Sequence, residues 1–283
     1  MNWVFLGDSL TEGVGSKRIS YVSELVTQIR SARCEINAHE LRLRRVDPNG
    51  FDRFVELNVA GKMDVDAGPH SSDLWCWNLA CEGQTIESDL AWLPLIATLK
   101  PELVVIFRGS LESIVRPAAL HDGTWPWWVP SSWRSYAAMD PRCYFSATWW
   151  CKAKQQAIDA AKQRIRLKLL MRDAGRPLIG VEALTAHLTT LLNRLPTLNT
   201  RVLILGLLPV DEERFPGSST YFESVNTRLN EIANAEGIEF FDWGSVLKAR
   251  APREQFFYRD GFHPNLTGAT ALAEILRSHL CRR

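Results

Sequence analysis

Short apolar runs alternate with helix-like segments at both ends of this 283-residue chain. The runs "NWVFLG", "PELVVIF" and "RVLILGLLP" are nearly continuous, as in strands that are buried on both faces. Segments such as "SYVSELVTQIRSA" and "YFESVNTRLNEIANAEG" place apolar side chains at helical spacing. This alternation predicts an α/β fold with a parallel, doubly wound sheet. Weaker strand candidates are "DRFVELNVA", "DLWCWNLA" and "IEFFDW".

The alternation breaks between about residues 113 and 177. This segment is first rich in Trp and Pro, and it holds six of the eleven tryptophans, namely Trp125, Trp127, Trp128, Trp133, Trp149 and Trp150. It then becomes strongly helical at "KAKQQAIDAAKQRIRLKLLMRDAG". Because the strand and helix pattern resumes afterwards, we predict a single domain over residues 1–283, with this segment inserted as a lid or subdomain.

Net charge and apolar content argue against several classes of protein. Lys and Arg number 33 against 32 Asp and Glu, so no overall field attracts nucleic acid or an anionic membrane. No apolar run approaches the ~20 residues of a membrane span, and the apolar start at Met1–Leu6 is too short for a secretory signal. The six cysteines show neither C-x-x-C pairs nor metal-ligand spacing. We expect reduced thiols, a cytoplasmic protein and neither metal nor cofactor.

Polar clusters follow several of the predicted strands. They are "GDSLTEG" after the first strand, "ACEGQT" after "DLWCWNL", "RGSLES" after "PELVVIF", and "YRDGFHPN" before the last helix. Loops at the carboxyl ends of parallel strands converge on one edge of the sheet, where active sites form. Ser9, Asp260 and His263 therefore meet the requirement for one shared site.

These three side chains form the chemistry of a nucleophile and its base. A serine hydroxyl becomes a strong nucleophile when an imidazole takes its proton, and the imidazole needs an acceptor that fixes its tautomer. Asp260 precedes His263 by three residues in a tight loop, so its carboxylate can reach Nδ1 while the other nitrogen faces Ser9. Each motif alone is typical of a turn or a helix cap. Their joint placement at one edge of the sheet favours catalysis.

These motifs resemble signature blocks of the GDSL or SGNH hydrolases. "VFLGDSLTEGVG" is similar to the first block, with Ser9 as nucleophile, and "DGFHPNLTGATALAEIL" to the last, with Asp260 and His263. "NLACEGQT" resembles the second block, in which Gly83 would donate its backbone N–H to an oxyanion, as would Ser9. The resemblance implies a flavodoxin-like, three-layer α/β/α fold around a central parallel sheet. It also implies hydrolysis or transfer of acyl esters through an acyl-serine.

The third block of the family departs from its usual pattern. It reads Gly-x-Asn-Asp, with the Asn side chain completing the oxyanion hole, whereas "IFRGSLES" has Leu111 in the Asn position. Leucine cannot donate, and the loss of one oxyanion donor typically lowers the rate by on the order of 10²–10³. Ser110 or Arg108 could supply the donor instead. The amides of Ser9 and Gly83 could also suffice for an activated substrate such as a thioester, or catalysis could be lost.

The surroundings of the site allow more than one interpretation. The tryptophans suit the wall of an acyl-chain or sugar cleft as well as a small satellite core. The candidates for the substrate cleft are Asp8, Leu111, Trp125, Trp127 and Trp128. Lys152–Arg176 carries eight basic residues against two acidic ones. Such a run is typical of a solvated face or of a dock for an acidic carrier protein, a nucleotide-linked sugar or anionic lipid.

We therefore predict a serine-dependent hydrolase of a small-molecule, glycan or lipid acyl ester, with no nucleic-acid partner. One alternative is an acyltransferase or deacylase in glycan or natural-product biosynthesis. Another is a catalytically impaired binding module that uses the Trp-rich cleft, and Leu111 is the feature that favours it.

Overall fold

The protein, in a computed structural model that describes residues 1–16, 19–32, 38–45, 54–58, 73–195 and 199–281, is built around a seven-stranded sheet. The strands in chain order are β1 (Asn2–Gly7), β2 (Ala38–Arg45), β3 (Phe54–Asn58), β4 (Leu74–Asn78), β5 (Leu103–Phe107), β6 (Val115–Arg116), β7 (Arg176–Pro177), β8 (Arg201–Leu205) and β9 (Glu239–Phe241). The α-helices are α1 (Ser9–Glu12), α2 (Tyr21–Ala32), α3 (Leu93–Leu99), α4 (Ser110–Ser113), α5 (Ala118–Asp122), α6 (Tyr136–Met139), α7 (Trp149–Arg172), α8 (Val181–Leu192), α9 (Ser218–Ala235), α10 (Trp243–Arg250) and α11 (Leu266–Cys281). Short 3₁₀ turns cover Ile86–Trp92, Ser131–Trp133 and Arg253–Gln255.

The main sheet has the strand order β3-β2-β4-β1-β5-β8-β9. Neighbouring strands are parallel except β2 and β3, which pair antiparallel at one edge. Without this edge pair, the order β4-β1-β5-β8-β9 is the flavodoxin-like one, in which the chain crosses from one side of β1 to the other. Among the flanking helices, α2 packs on α11 and α8 packs on α9. The predicted three-layer α/β/α fold with a central parallel sheet is confirmed.

Strand β2 is an element that the sequence analysis does not predict. Its sequence, "AHELRLRR", is rich in charge, yet Glu40 and Arg42 are both buried. Arg42 Nε donates to Glu40 at 2.8 Å, and the side-chain amide of Asn78 donates to the same carboxylate oxygen at 3.1 Å. Because the charges satisfy each other, the strand lies inside the sheet despite its polar composition.

An aromatic cluster fills the core beneath the carboxyl end of β1. Trp243 packs edge-to-face on Tyr21 and Phe107, with ring centroids 4.8 and 5.0 Å away. The Tyr21 hydroxyl also lies 3.2 Å from Thr11 Oγ1 in α1. The buried rings therefore contact α1 from the core side and fix its distance from the sheet.

The inserted segment leaves and re-enters the fold at a two-stranded antiparallel ribbon. Val115 of β6 lies opposite Pro177 of β7, and Arg116 lies opposite Arg176. Beyond the ribbon, the N–H of Leu178 donates to the carbonyl of Glu112 at 2.9 Å. The two ends of the segment 113–177 are thus joined at its base.

Two arginines share one carboxylate above this ribbon. Arg166 of α7 donates to Asp140 at 2.7 Å and to the carbonyl of Val115 at 2.9 Å. Arg116 donates to the other oxygen of Asp140 at 3.0 Å. Both guanidinium groups are fully buried. Asp140 therefore compensates two charges that have lost their hydration, and it ties α7 to the base of the insertion.

Packing divides the basic run Lys152–Arg176, which covers most of α7 and the start of β7, into buried and exposed members. Lys162 and Arg166 are buried, and the ammonium of Lys162 lies over the Trp133 ring, 5.6 Å from its centroid. The exposed members are Lys152, Lys154, Arg164, Lys168, Arg172 and Arg176. Helix α7 is thus a packed element of the insertion as well as a charged surface.

The described cysteines form no disulfide. Cys76, Cys81, Cys143, Cys151 and Cys281 are free thiols, as expected, while Cys34 lies outside the described residues. None of the helices in the described ranges has the length and apolar character needed to cross a membrane.

Removal of the shared carboxylate should destabilise the fold. Asp140→Ala leaves two buried guanidinium groups uncompensated, so we expect the free energy of unfolding to fall by about 3–5 kcal/mol. Urea denaturation followed by tryptophan fluorescence measures this change. Asp173→Ala is the matched control, since Asp173 is exposed and pairs with exposed Arg172; it should cost less than about 1 kcal/mol. Equal stability of the two variants would contradict the anchoring role of Asp140.

Candidate active site

Ser9 lies at the tight turn between β1 and α1. Asp8 caps this four-residue helix, because its Oδ1 accepts the N–H of Leu10 at 2.9 Å. A side chain on Gly7 would place a Cβ 2.0 Å from Thr11 Oγ1, so glycine is required for α1 to stand against the end of β1. The motif "GDSLTEG" therefore sets a serine on a short, capped helix at the edge of the sheet.

The loop before α11 is shaped by the carboxylate of Asp260. This side chain is buried, and its Oδ1 accepts the N–H groups of Phe262 and His263 at 3.0 and 3.1 Å. Its Oδ2 lies 2.7 Å from Nδ1 of His263. Gly261 makes this tight loop possible with a φ of +66°, and the N–H of Tyr258 closes it on the His263 carbonyl at 2.8 Å. Asp260 thus both orders the loop and orients the imidazole.

The other nitrogen of His263 meets the serine. Nε2 lies 2.9 Å from Ser9 Oγ, although the two residues are 254 positions apart. The pKa of His263 is above its ordinary value. Burial lowers this pKa, but the hydrogen bond and the charge of Asp260 together raise it by a larger amount. The imidazole therefore holds a proton more strongly than a free one. The structure brings together the three residues that the sequence analysis places in one site.

Two backbone amides lie next to this group. Ser9 and Gly83 both line the cleft, and neither amide donates to an acceptor in the described ranges. Gly83 has a φ of +76°, and no atom lies within 4 Å of the position of a Cβ, so conformation and not crowding favours glycine. The N–H of Glu82 donates to the Glu12 carboxylate, which holds this turn against α1.

Arg108 directs its donors away from the cleft. Its Nε donates to Asp89 at 2.7 Å, its Nη2 donates to the other oxygen of Asp89, and its Nη1 donates to the Gln84 carbonyl at 2.8 Å. Arg108 is 2% exposed and is not among the residues that line the cleft. The guanidinium therefore holds the loop of Gln84 and Asp89 on the end of β5. The structure does not bring it to the site as an oxyanion donor.

The remaining site candidates, Ser110, Leu111 and Asp8, differ in whether they line the cleft. Ser110 is buried outside the cleft lining, and its hydroxyl has no hydrogen-bond partner in the described part of the chain. Leu111 is half-buried and lines the cleft together with Ser9 and Gly83. Asp8 is fully buried and does not line it. Of these, the leucine alone borders the space in front of the serine.

Three buried carboxyl groups surround Arg108. Burial raises the pKa of Asp8 and of Asp89, and the charge of Arg108 opposes this effect. Burial likewise raises the pKa of Glu112 to about 7. Glu112 Oε1 accepts the N–H of Ile86 at 2.9 Å, whereas Oε2 has no partner in the described residues. One guanidinium thus interacts electrostatically with three carboxyl groups. Because its pKa is about 7, Glu112 is protonated in a large share of molecules at neutral pH.

A cleft of about 460 Å³ opens over Ser9 and His263. Eight residues between Ser135 and Tyr144, all from the insertion, form one of its walls. The predicted cleft candidates Trp125, Trp127 and Trp128 are not among the lining residues. Trp127 is 90% exposed, so this stretch faces solvent. The insertion borders the cleft, but through a different stretch from the Trp-rich one.

Sequence reasoning missed two side chains close to the site. Asp89 fixes Arg108, and no motif surrounds it. Cys143 lies beside the imidazole loop, more than a hundred positions before it in the chain. No pattern in the sequence marks Cys143. In the structure, Gly15 has a φ of +91° and leaves room for the thiol, since a Cβ there would lie 2.6 Å from Sγ.

Comparisons with known proteins agree with this fold and indicate a family. A sequence model of the GDSL-like lipase/acylhydrolase family matches residues 5–271. A lipase/acylhydrolase from Enterococcus faecalis has a similar structure, with a TM-score of 0.55 and 15% identity over 99% of this chain and 95% of that one. The acetylxylan esterase Axe2 from Geobacillus stearothermophilus has a TM-score of 0.54 and 14% identity over 99% and 93%. No match was found among curated proteins.

The structural neighbours establish the fold, since their sequences are too different to carry more. The family match begins in β1 and ends in α11, so it includes the first polar cluster and the loop of the imidazole. The chain therefore belongs to the GDSL-like lipase/acylhydrolase family and is a hydrolase of ester bonds.

Proposed function

We propose that the protein is a serine esterase that acts through an acyl-Ser9 intermediate. The observation that carries the proposal is the hydrogen-bonded series from Asp260 through His263 to Ser9, at 2.7 and 2.9 Å. His263 takes the hydroxyl proton as Ser9 Oγ attacks the ester carbonyl carbon, and it then gives the proton to the leaving alcohol. A water molecule attacks the acyl-serine with His263 again as base, which frees the acid and restores Ser9.

In this proposal the amides of Ser9 and Gly83 hold the oxyanion. Arg108 is engaged elsewhere and Ser110 lies outside the cleft lining, so neither supports a third donor. Two donors give less stabilisation to the tetrahedral intermediate than three. We therefore propose substrates with a good leaving group, such as thioesters or activated oxygen esters.

The cleft supports a small-molecule acyl ester as the substrate. Its volume of about 460 Å³ lies in the range typical of small-ligand sites. Leu111, Ile114 and Phe262 give it apolar walls, while Tyr136 and Arg142 add polar groups. This composition suits an apolar acyl group on one side of the ester and a polar alcohol on the other.

Hydrolysis is favoured over acyl transfer and over binding alone. The His263 side chain is 16% exposed, so water reaches the base, whereas transfer requires that water be excluded. The binding-module alternative needs a Trp-rich cleft, and Trp125, Trp127 and Trp128 do not line the cleft.

Ser9→Ala should abolish turnover. Loss of the nucleophile should lower kcat for p-nitrophenyl acetate by on the order of 10⁴-fold or more. A fluorophosphonate probe should label the native protein but not the variant, and intact mass after incubation with esters or thioesters should show an acyl adduct on the native protein alone. Ser245→Ala, at an exposed serine of α10, is the control and should keep both properties. Labelling that persists in Ser9→Ala would exclude Ser9 as the nucleophile.

The pH dependence of catalysis should report the ionisation of His263. Only the neutral imidazole accepts a proton, and its pKa is raised, so kcat/KM should increase with pH through an apparent pKa above about 6.5. Asp260→Asn removes the charge that raises this pKa, so the acid limb should move to lower pH while kcat falls by on the order of 10⁴-fold. Asp122→Asn, at an exposed pair with Arg176, should change neither. An acid limb that stays in place in Asp260→Asn would contradict this role.

Leu111→Asn should increase turnover of a short-chain p-nitrophenyl ester. The amide would add a donor to the two backbone groups, so we expect kcat to rise by up to on the order of 10²-fold. Leu111→Met, which changes the shape without adding a donor, is the matched control and should give no such increase. If Leu111→Asn leaves the rate unchanged or lowers it, another group already donates the third hydrogen bond to the oxyanion.

A further inference from the structure

Cys143 lies against the two residues that orient and accept the proton. Its Sγ and the ligand atoms of Asp260 and His263 all lie within 4.8 Å of one another. The cysteine comes from the insertion, whereas the other two come from the loop before α11. Tertiary packing therefore brings together a thiol, a carboxylate and an imidazole that are far apart in the sequence.

These three groups form a ligand set that Zn²⁺ favours. Zn²⁺ binds thiolate, imidazole and carboxylate at about 2.0–2.3 Å, and open sites use three protein ligands with water in the fourth position. Tetrahedral geometry at those lengths separates the ligand atoms by roughly 3.5 Å. The ligand atoms here lie within 4.8 Å of one another, so the cluster contracts by about 1 Å when it binds the metal. Mg²⁺ prefers oxygen ligands and binds thiolate weakly.

A metal ion can reach the cluster by the same route as substrate. Cys143, Asp260 and His263 all line the cleft over Ser9. Cys143 is only 5% exposed, so its thiol belongs to the wall of the cleft and not to the outer surface. Burial raises the pKa of Cys143 to about 12, and the thiol therefore stays protonated when no metal is bound.

We propose that Cys143, Asp260 and His263 form an inhibitory site for Zn²⁺ or a similarly soft divalent cation. On binding, the thiol releases its proton to solvent and the sulfur donates an electron pair to the metal, with no change in oxidation state. If His263 binds through Nε2, it loses its hydrogen bond to Ser9. If it binds through Nδ1, the Nδ1 proton moves to Nε2, so the hydrogen bond to Asp260 is lost and Nε2 can no longer accept the Ser9 proton. In both cases the Ser9 hydroxyl loses its oriented proton acceptor, and the esterase stops.

Titration of the esterase activity with Zn²⁺ tests the inhibition. This part of the experiment rests on the proposed function. Native protein, Cys143→Ser and Cys151→Ser are compared in thiol-free buffer, each relative to its own metal-free rate. Cys151 is an exposed thiol of α7 and provides the matched control. We expect equal inhibition midpoints for native protein and Cys151→Ser, and a midpoint more than about 10-fold higher for Cys143→Ser, since even outer-shell changes cost 10–100-fold in metal affinity. Chelator should restore activity, and Mg²⁺ should not inhibit.

Co²⁺ binding provides a measurement that does not depend on catalysis. A sulfur-to-cobalt charge-transfer band should develop in native protein and in Ser9→Ala, and it should be absent in Cys143→Ser. This spectrum separates failure of the metal site from failure of the esterase assignment. Equal Zn²⁺ midpoints for native protein and Cys143→Ser, or a Co²⁺ band that persists in Cys143→Ser, would overturn the proposal.

Discussion

The hydrogen bond between Ser9 and His263 depends on how the last helix sits on the sheet. The bond is 2.9 Å long, and a misplacement of about 1 Å at such a contact can cost 10²-fold in rate. Helix α11 packs on α2, which follows α1 in the chain, so the two ends of the fold are placed relative to each other by one helix pair. Gly268 lets α11 lie close to the segment before the imidazole loop, because a Cβ there would lie 2.0 Å from the Phe256 carbonyl oxygen. The position of the imidazole is therefore set by core packing as well as by its own loop.

Arg108 organises the other side of the site by charge. Three buried acids surround a single guanidinium, so all three cannot ionise without a large desolvation penalty. Burial raises the pKa of Glu112 to about 7, so this carboxyl group titrates near neutrality. The same arginine holds the loop that follows β4 through Asp89 and Gln84. Arg108 is buried in this structural role and does not line the cleft, so it is not placed to act in front of Ser9 beside Leu111.

The sequence predicts those parts of the molecule that depend on local chemistry. Continuous apolar runs mark β1, β5 and β8, and the glycine, cap and Asp-x-x-His patterns mark both loops that meet at the site. Strand β2 is not predicted because its buried Glu40 and Arg42 satisfy each other, with an added hydrogen bond from Asn78 of β4. The sequence does not predict the cleft wall either. Whether Trp125–Trp128 or residues 135–144 line the cleft depends on how the insertion folds back. Asp140 controls that path through ion pairs with Arg116 and Arg166, and such long-range pairs leave no periodic signal.

Leu111 changes the physical character of the oxyanion region as well as its number of donors. An Asn side chain would attract water, whereas Leu111 and Ile114 present apolar surface in the same cleft. Apolar surface beside the amides lowers the local dielectric there, although His263 remains open to water, and the electrostatic energy of each amide contact increases in inverse proportion. In the proposed mechanism, loss of a donor and a lower dielectric around the two amides therefore act in opposite directions on the transition state. In the proposed reaction the same apolar surface would contact the acyl group, so the leucine that provides no hydrogen bond would also make acyl shape a determinant of which esters react.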